Sequence, residues 1–386
     1  MTARTPSRRF LDFLRAESAG SWLLLAATVL ALAWVNLPLG DSYRAFVEAP
    51  LPIDRLPDLR HLVNDGLMAL FFLVVGLEIK RELRGGELSS WKVAALPVVA
   101  ATGGMVVPAL AYVALNTGTE GSAGWGIPMA TDIAFAVGVI AAFGARVPTG
   151  AKVFLLSLAI ADDIGAILVI ALFYAQGIEI SWCLAAAAVV IVLGTIGRRW
   201  GARAPLAVYA LGGIALWAAM LFSGIHPAIS GVLVAVLIPS EGRAGSSPAQ
   251  RAETSVHPWS SLLVVPLFAL TNAGAEIDAA ALQDAFTSRV GLGVAIGLVL
   301  GKLVGVSAFS WLAVKSKVAV LPEATSWSHI VALAAIAGIG FTVSLFVTEL
   351  SFADPALIDR ARLGVLGGSV IAAVIGAGTL YRSTRA

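Results

Sequence analysis

The chain has 386 residues, of which 58% are hydrophobic and only 13% charged, with a mean hydropathy of +0.88. A soluble domain carries roughly 25% charged residues, so too few charges remain here to coat a water-facing surface. The net charge of +2 gives no reason to invoke nucleic acid, and the single cysteine, Cys183, cannot form an intrachain disulfide.

An all-α integral membrane protein is therefore expected, because a spanning segment must satisfy its own backbone hydrogen bonds. At the N-terminus Arg4, Arg8, Arg9 and Arg15 precede an apolar run from Ser21 to Leu37. That run exceeds the roughly 7–15 residues of a signal-peptide core and reads as an uncleaved first span. Marking windows of about 20 apolar residues predicts about twelve spans. They lie near 20–38, 60–82, 93–115, 125–144, 151–175, 181–197, 205–222, 225–238, 259–275, 290–314, 327–349 and 361–381. The whole chain, 1–386, then forms a single polytopic domain. The loop 39–59, with Pro50, Pro52 and Pro57, falls outside, and the Gly/Ser-rich stretch 239–257 reads as a cytoplasmic linker. Most of the lysines and arginines collect on the side of the N-terminus, among them Lys80, Arg81, Arg84, Lys92, Arg198, Arg199, Arg243 and Arg382. The positive-inside rule then places both termini in the cytoplasm.

The informative residues are charges inside these spans. Asp65 lies in span two, Asp132 in span four, the adjacent Asp162 and Asp163 in mid-span five, and Lys302 in mid-span ten. A charge at the centre of a lone helix costs about 2.5–3.5 kcal/mol on insertion scales. Buried ion pairs that merely fix packing would explain Asp65 as well as function does. They explain the dyad poorly, since adjacent carboxylates repel. Two carboxylates with nearby carbonyls suit a small hard cation. Burial and mutual repulsion also couple their protonation, so protons and a cation compete for one place.

Two spans carry helix breakers. Gly126 and Pro128 precede Thr131 and Asp132 in span four, and Gly338, Gly340 and Thr342 interrupt span eleven. Paired interruptions in corresponding segments point to an inverted-repeat transporter site. Spans three to five and ten to twelve would be the two repeats. Asp132 would face the positive N-terminal ends of the half-helices and Lys302 the negative C-terminal ends.

These residues fall within motifs that resemble bacterial sodium/proton antiporters of the NhaA type. The motifs are NDGLMALFFLVVGLEIKREL (64–83), ATDIAFAVGV (130–139), LAIADDIGAI (158–167), SGIHPAISGV (223–232), HPWSSLLVVPLFALTNAG (257–274) and GKLVG (301–305). The resemblance covers nearly the whole chain. It implies that Asp162 and Asp163 hold Na+ or Li+ and exchange protons, with Lys302 facing Asp162. Thr131 and Asp132 would lie where the broken helices cross, Thr131 as a further ion ligand. Glu78, Arg81, Glu82 and Glu253 would line a cytoplasmic entrance that tunes the pH response, and His226 would share in it. The same resemblance implies a homodimer in the bacterial inner membrane, joined through a β-hairpin in 39–59, and no cofactor beyond the transported ions. One departure is Thr254, where some members carry histidine. Simpler readings stand beside these roles: Glu78, Arg81 and Glu82 as a solvated helix end, His226 as a helix-start cap. An uncoupled proton or cation channel shares the dyad's chemistry and is the rival function.

Overall fold

A computed structural model describes residues 8–53, 55–175, 177–241 and 247–385, with side chains from residue 19 onward. Arg4, and Arg243 within the expected linker, lie outside the described residues, as do the side chains of Arg8, Arg9 and Arg15. The helices in chain order are α1 (Arg8–Asn36), α2 (Gly40–Val47), α3 (Leu59–Gly85), α4 (Trp91–Asn116), α5 (Ile133–Phe143), α6 (Thr149–Phe173), α7 (Ile180–Trp200) and α8 (Leu206–Ser223). They continue with α9 (Ile229–Leu237), α10 (Pro248–Trp259), α11 (Val265–Asn272), α12 (Ala279–Thr287), α13 (Arg289–Lys315), α14 (Trp327–Ile336), α15 (Phe341–Ser351) and α16 (Pro355–Ser383).

Among the described residues, nine helical segments are long and apolar enough to cross a membrane, or ten if the bent pair α14 and α15 counts as one span. Two of the twelve expected spans fall short. The one near 225–238 is only α9, whose nine residues rise about 13 Å against a hydrocarbon core of about 30 Å. The one near 259–275 is the apolar second half of a segment that starts in the polar run of α10. In 39–59, where a β-hairpin was expected, the described residues carry α2 and one isolated antiparallel bridge between Pro50 and Asp58. Prolines at 50, 52 and 57 lack the N–H groups a ladder needs.

The chain divides into two compact units. The first draws on Met1–Leu25, Glu87–Ala166 and Ala275–Ala386, and the second on Ala26–Gly86 and Ile167–Gly274. In the first, a core of small and branched side chains includes Ala95, Ala100, Phe154, Leu158, Leu333 and Ile336. Small residues allow backbones to approach closely, which is how helices associate where lipid removes the hydrophobic drive. Gly103 of α4 and Gly305 of α13 meet in this way, each backbone occupying the place of the other's absent Cβ. α13 opens to a wide π turn at Gly297–Gly301, immediately before Lys302.

In the second unit, α3 has a similar wide turn at Leu62–Leu67. There Asn64 and the buried Asn272 of α11 exchange two amide hydrogen bonds at 2.8 and 3.1 Å. Gly76 of α3 packs directly on α9, where an added Cβ would meet Val232 Cα at 3.2 Å. α7 leaves Leu184, Ile191 and Val192 exposed, a face that lipid covers and water would not tolerate.

Candidate functional site

In the first unit, two irregular segments meet. Residues 130–132 run extended between a 3-10 stretch, Glu120–Met129, and the start of α5. Residues 337–340 separate α14 from α15, whose axes differ by 44°. The sequence forces both breaks: Pro128 cannot continue a helix ladder, and Gly338 and Gly340 weaken one. The segments are tied together by the Asp132 N–H, which donates to the Ile339 carbonyl at 2.6 Å.

Asp132 is buried, and its two carboxylate oxygens serve two helices. Oδ1 accepts from the Phe135 N–H at 3.0 Å, capping α5. Oδ2 accepts from the Thr342 N–H at 3.0 Å and from Thr342 Oγ1 at 2.7 Å, at the start of α15. One negative charge therefore faces two positive helix ends, the favourable sign for the macrodipole. Sequence reasoning noted Thr342 only as part of an interruption. Its side chain's partnership with Asp132 depends on the crossing, which no local spacing announces.

Thr131, next to Asp132, faces the other way. Its Oγ1 lies 2.6 Å from Asp162 Oδ2 and 2.9 Å from the Ala337 carbonyl. Lys302 Nζ donates to the same Oγ1 at 3.1 Å and forms a close ion pair with Asp162 Oδ2. A hydroxyl has a single hydrogen to give, so Thr131 chooses between Asp162 and Ala337. Asp162 and Lys302 are wholly buried, and Asp163 nearly so. Asp162 Oδ1 has no hydrogen-bond partner. A buried carboxylate is thus held by one oxygen and leaves the other uncommitted. Carboxylate oxygens are the ligands a hard cation takes.

The second unit contains the remaining predicted residues. Arg81 of α3 pairs closely with Glu253 of α10, and its Nε lies 3.5 Å from Glu82 Oε1. Glu78 is buried, with His257 Nε2 3.9 Å from its Oε1. His257 is a member of this cluster that sequence reasoning assigned no role. Burial pushes the Glu253 carboxyl up from the ordinary glutamate value, and the charges of Arg81 and His257 pull only part of the way back. Elsewhere in this unit, His226 precedes Pro227 in the turn from α8 to α9. Its Nδ1 accepts from the Ala228 N–H at 3.2 Å, and its Nε2 lies 3.0 Å from Asp65 Oδ1. Lys80, counted in the sequence only among the cytoplasmic basic residues, caps the end of α9 through the carbonyls of Ala235 (3.0 Å), Val236 (2.7 Å) and Ile238.

Helices long and apolar enough to cross a membrane, with charged side chains buried within them, define an integral membrane protein. Residues 11–380 match the family described as Na+/H+ antiporter 1. The chain is 45% identical to the Na+/H+ antiporter NhaA 2 of Erythrobacter litoralis, over all of this chain and 96% of that protein. It is 47% identical to the Na+/H+ antiporter NhaA of Shewanella loihica and 48% identical to that of Shewanella putrefaciens, in each case over 95% of both chains. The chain belongs to the Na+/H+ antiporter 1 family and is a transporter, not an enzyme.

Proposed function

We propose that this antiporter exchanges one Na+ (or Li+) for two protons at the Asp162–Asp163 pair, with Lys302 as counter-charge and Thr131 as a further oxygen ligand. The observation that carries this reading is the state of Asp162: fully buried, bound through one oxygen to Lys302 and Thr131, its other oxygen without a hydrogen-bond partner. Sodium would bring one positive charge to the pair, and release of two protons would leave the loaded states one charge apart. Asp132 would hold the crossing by compensating helix ends rather than binding the ion.

The breaks at 130–132 and 337–340 fit interrupted fourth and eleventh spans, within two inverted-topology repeats formed by spans three to five and ten to twelve. We read α9 and the 259–275 segment as shortened further crossings, which brings the count to twelve. With twelve crossings and the basic residues on one side, both termini are cytoplasmic in a bacterial inner membrane. Glu78, Arg81, Glu82, Glu253 and His226 set the pH response, Asp65 is a paired intramembrane acid, and the 39–59 loop is a homodimer contact.

The test is sodium-driven proton flux in sealed proteoliposomes. Asp163→Asn is expected to abolish it in a protein that still folds. Wild-type exchange by that variant would remove the dyad from the mechanism. A proton flux that sodium neither drives nor competes with would instead favour the uncoupled channel.

A further inference from the structure

α4 contains two prolines, Pro97 and Pro108, within an otherwise continuous helix. Proline has no backbone N–H, so the carbonyl four residues earlier loses its ladder partner. Pro108 thereby releases the carbonyl of Gly104. Gly104 is buried and lies along the Lys302 side chain: a methyl group built on it would stand 3.6 Å from Lys302 Cδ and 3.7 Å from Nζ. Pro108 is itself wedged against the wide turn that precedes Lys302, where a methyl on Gly301 would meet Pro108 Cα at 2.7 Å. The Gly104 backbone and the lysine side chain therefore lie against each other in the buried interior.

Lys302 has an unmet need that this carbonyl can satisfy. An ammonium carries three donors, and the hydrogen bonds of Lys302 use two acceptors, Asp162 Oδ2 and Thr131 Oγ1. Both belong to the place where sodium would bind. Two positive charges on one buried carboxylate repel, so a sodium ion at Asp162 drives the ammonium off. A buried ammonium without acceptors is costly, and the displaced charge needs a seat within reach of its flexible stem.

We propose that the Gly104 carbonyl, freed by Pro108, is that seat: Lys302 moves from Asp162 to Gly104 as the cation binds. Gly104 and Pro108 are then positioning residues for cation affinity. The proposal rests on the reading of Asp162 and Asp163 as the cation site.

Pro108→Ala restores the N–H and draws the Gly104 carbonyl back into the helix ladder. Pro108→Ser does the same with a different side chain, so either folded variant decides the matter. Pro97→Ala is the control, since it repairs the same helix at the Val93 carbonyl near the helix start. The readout is the apparent Kd for Na+, from sodium-dependent thermal stabilisation of the purified full-length protein at fixed pH. Pro108→Ala is expected to weaken Na+ binding about tenfold, equivalent to about 1.4 kcal/mol, with Pro97→Ala within about twofold of wild type. In a Lys302→Ala background, Pro108→Ala is expected to change the Kd less than about twofold, because no ammonium remains to be seated. Wild-type affinity in Pro108→Ala overturns the proposal. So does a tenfold loss that persists without Lys302, which would mean that the proline acts through helix shape. Asp163→Asn separates the two levels. Undiminished sodium binding in Asp163→Asn overturns the cation site itself. Lost binding in Asp163→Asn with normal binding in Pro108→Ala overturns only the role of Gly104.

Discussion

At the scale of single residues, the decisive feature is a lysine and an aspartate, both wholly buried and both committed to each other. Removing one partner of such a pair strands the other, at a cost of about 3–5 kcal/mol, whereas replacing both by neutral groups is often close to harmless. Lys302→Ala is therefore expected to lower the thermal unfolding temperature markedly, and Lys302→Met combined with Asp162→Asn to recover most of the loss. Fluorescence-monitored unfolding in detergent measures both. Additive losses in the double variant would mean that the two charges are not energetically coupled. Thr131 belongs to the same unit, because its hydroxyl lies within hydrogen-bond distance of both Asp162 and the Ala337 carbonyl. Thr131→Val keeps the shape and removes that donor, and is expected to weaken sodium binding while leaving the fold intact.

At the scale of elements, the crossing depends on capping. Asp132 caps α5 and meets the first residues of α15. Loss of an N-cap costs about 0.5–2 kcal/mol per helix, so Asp132→Ala is expected to cost about twice a single cap. Asp132→Asn keeps an acceptor oxygen and should fall between Asp132→Ala and wild type in thermal unfolding. In the other unit, α3 and α10 are tied by Arg81 and Glu253. With its carboxyl pushed up by burial, Glu253 stays protonated to higher pH than an ordinary glutamate. Raising the pH ionises it, and only then is the full charge pair with Arg81 present. Glu253→Gln imitates the protonated form at every pH. If this pair contributes to activation, the pH profile of exchange in everted vesicles shifts to more alkaline values with its maximal rate retained. A profile superimposable on wild type would return Glu253 to a simple helix contact.

At the scale of the whole molecule, the charge count at the dyad becomes a voltage dependence. Two protons for one sodium move one net charge per cycle, on which the membrane potential acts with about 2.3 kcal/mol per 100 mV. An inside-negative potential is then expected to drive sodium out without a pH gradient. Proteoliposomes held at zero potential and then at a potassium diffusion potential measure this. Exchange rates and final sodium gradients that ignore the imposed potential would indicate one-for-one exchange.

Class, most helix positions and the charged residues of the candidate site were legible in the sequence, because the bilayer punishes each departure from its rules within a short window. A run of apolar residues must be helical, and an aspartate inside it must have a reason. Asp162, Asp163, Asp132 and Lys302 stood out for that reason alone. The partnerships were not legible. Lys302 meets Asp162 across 140 positions and Thr342 meets Asp132 across 210, and no local pattern encodes which helices pack. The lengths of the weaker spans also escaped. Hydropathy sums apolar character over a window, whereas α9 ends after nine residues, where Pro239 follows at the close of its apolar run. Tertiary structure alone decided that His257 lies toward Glu78 and that Lys80 caps α9. It also decided that a proline in α4 sits against the turn carrying Lys302. Backbone groups and side-chain ends acquire partners only when distant helices are brought within a few ångströms.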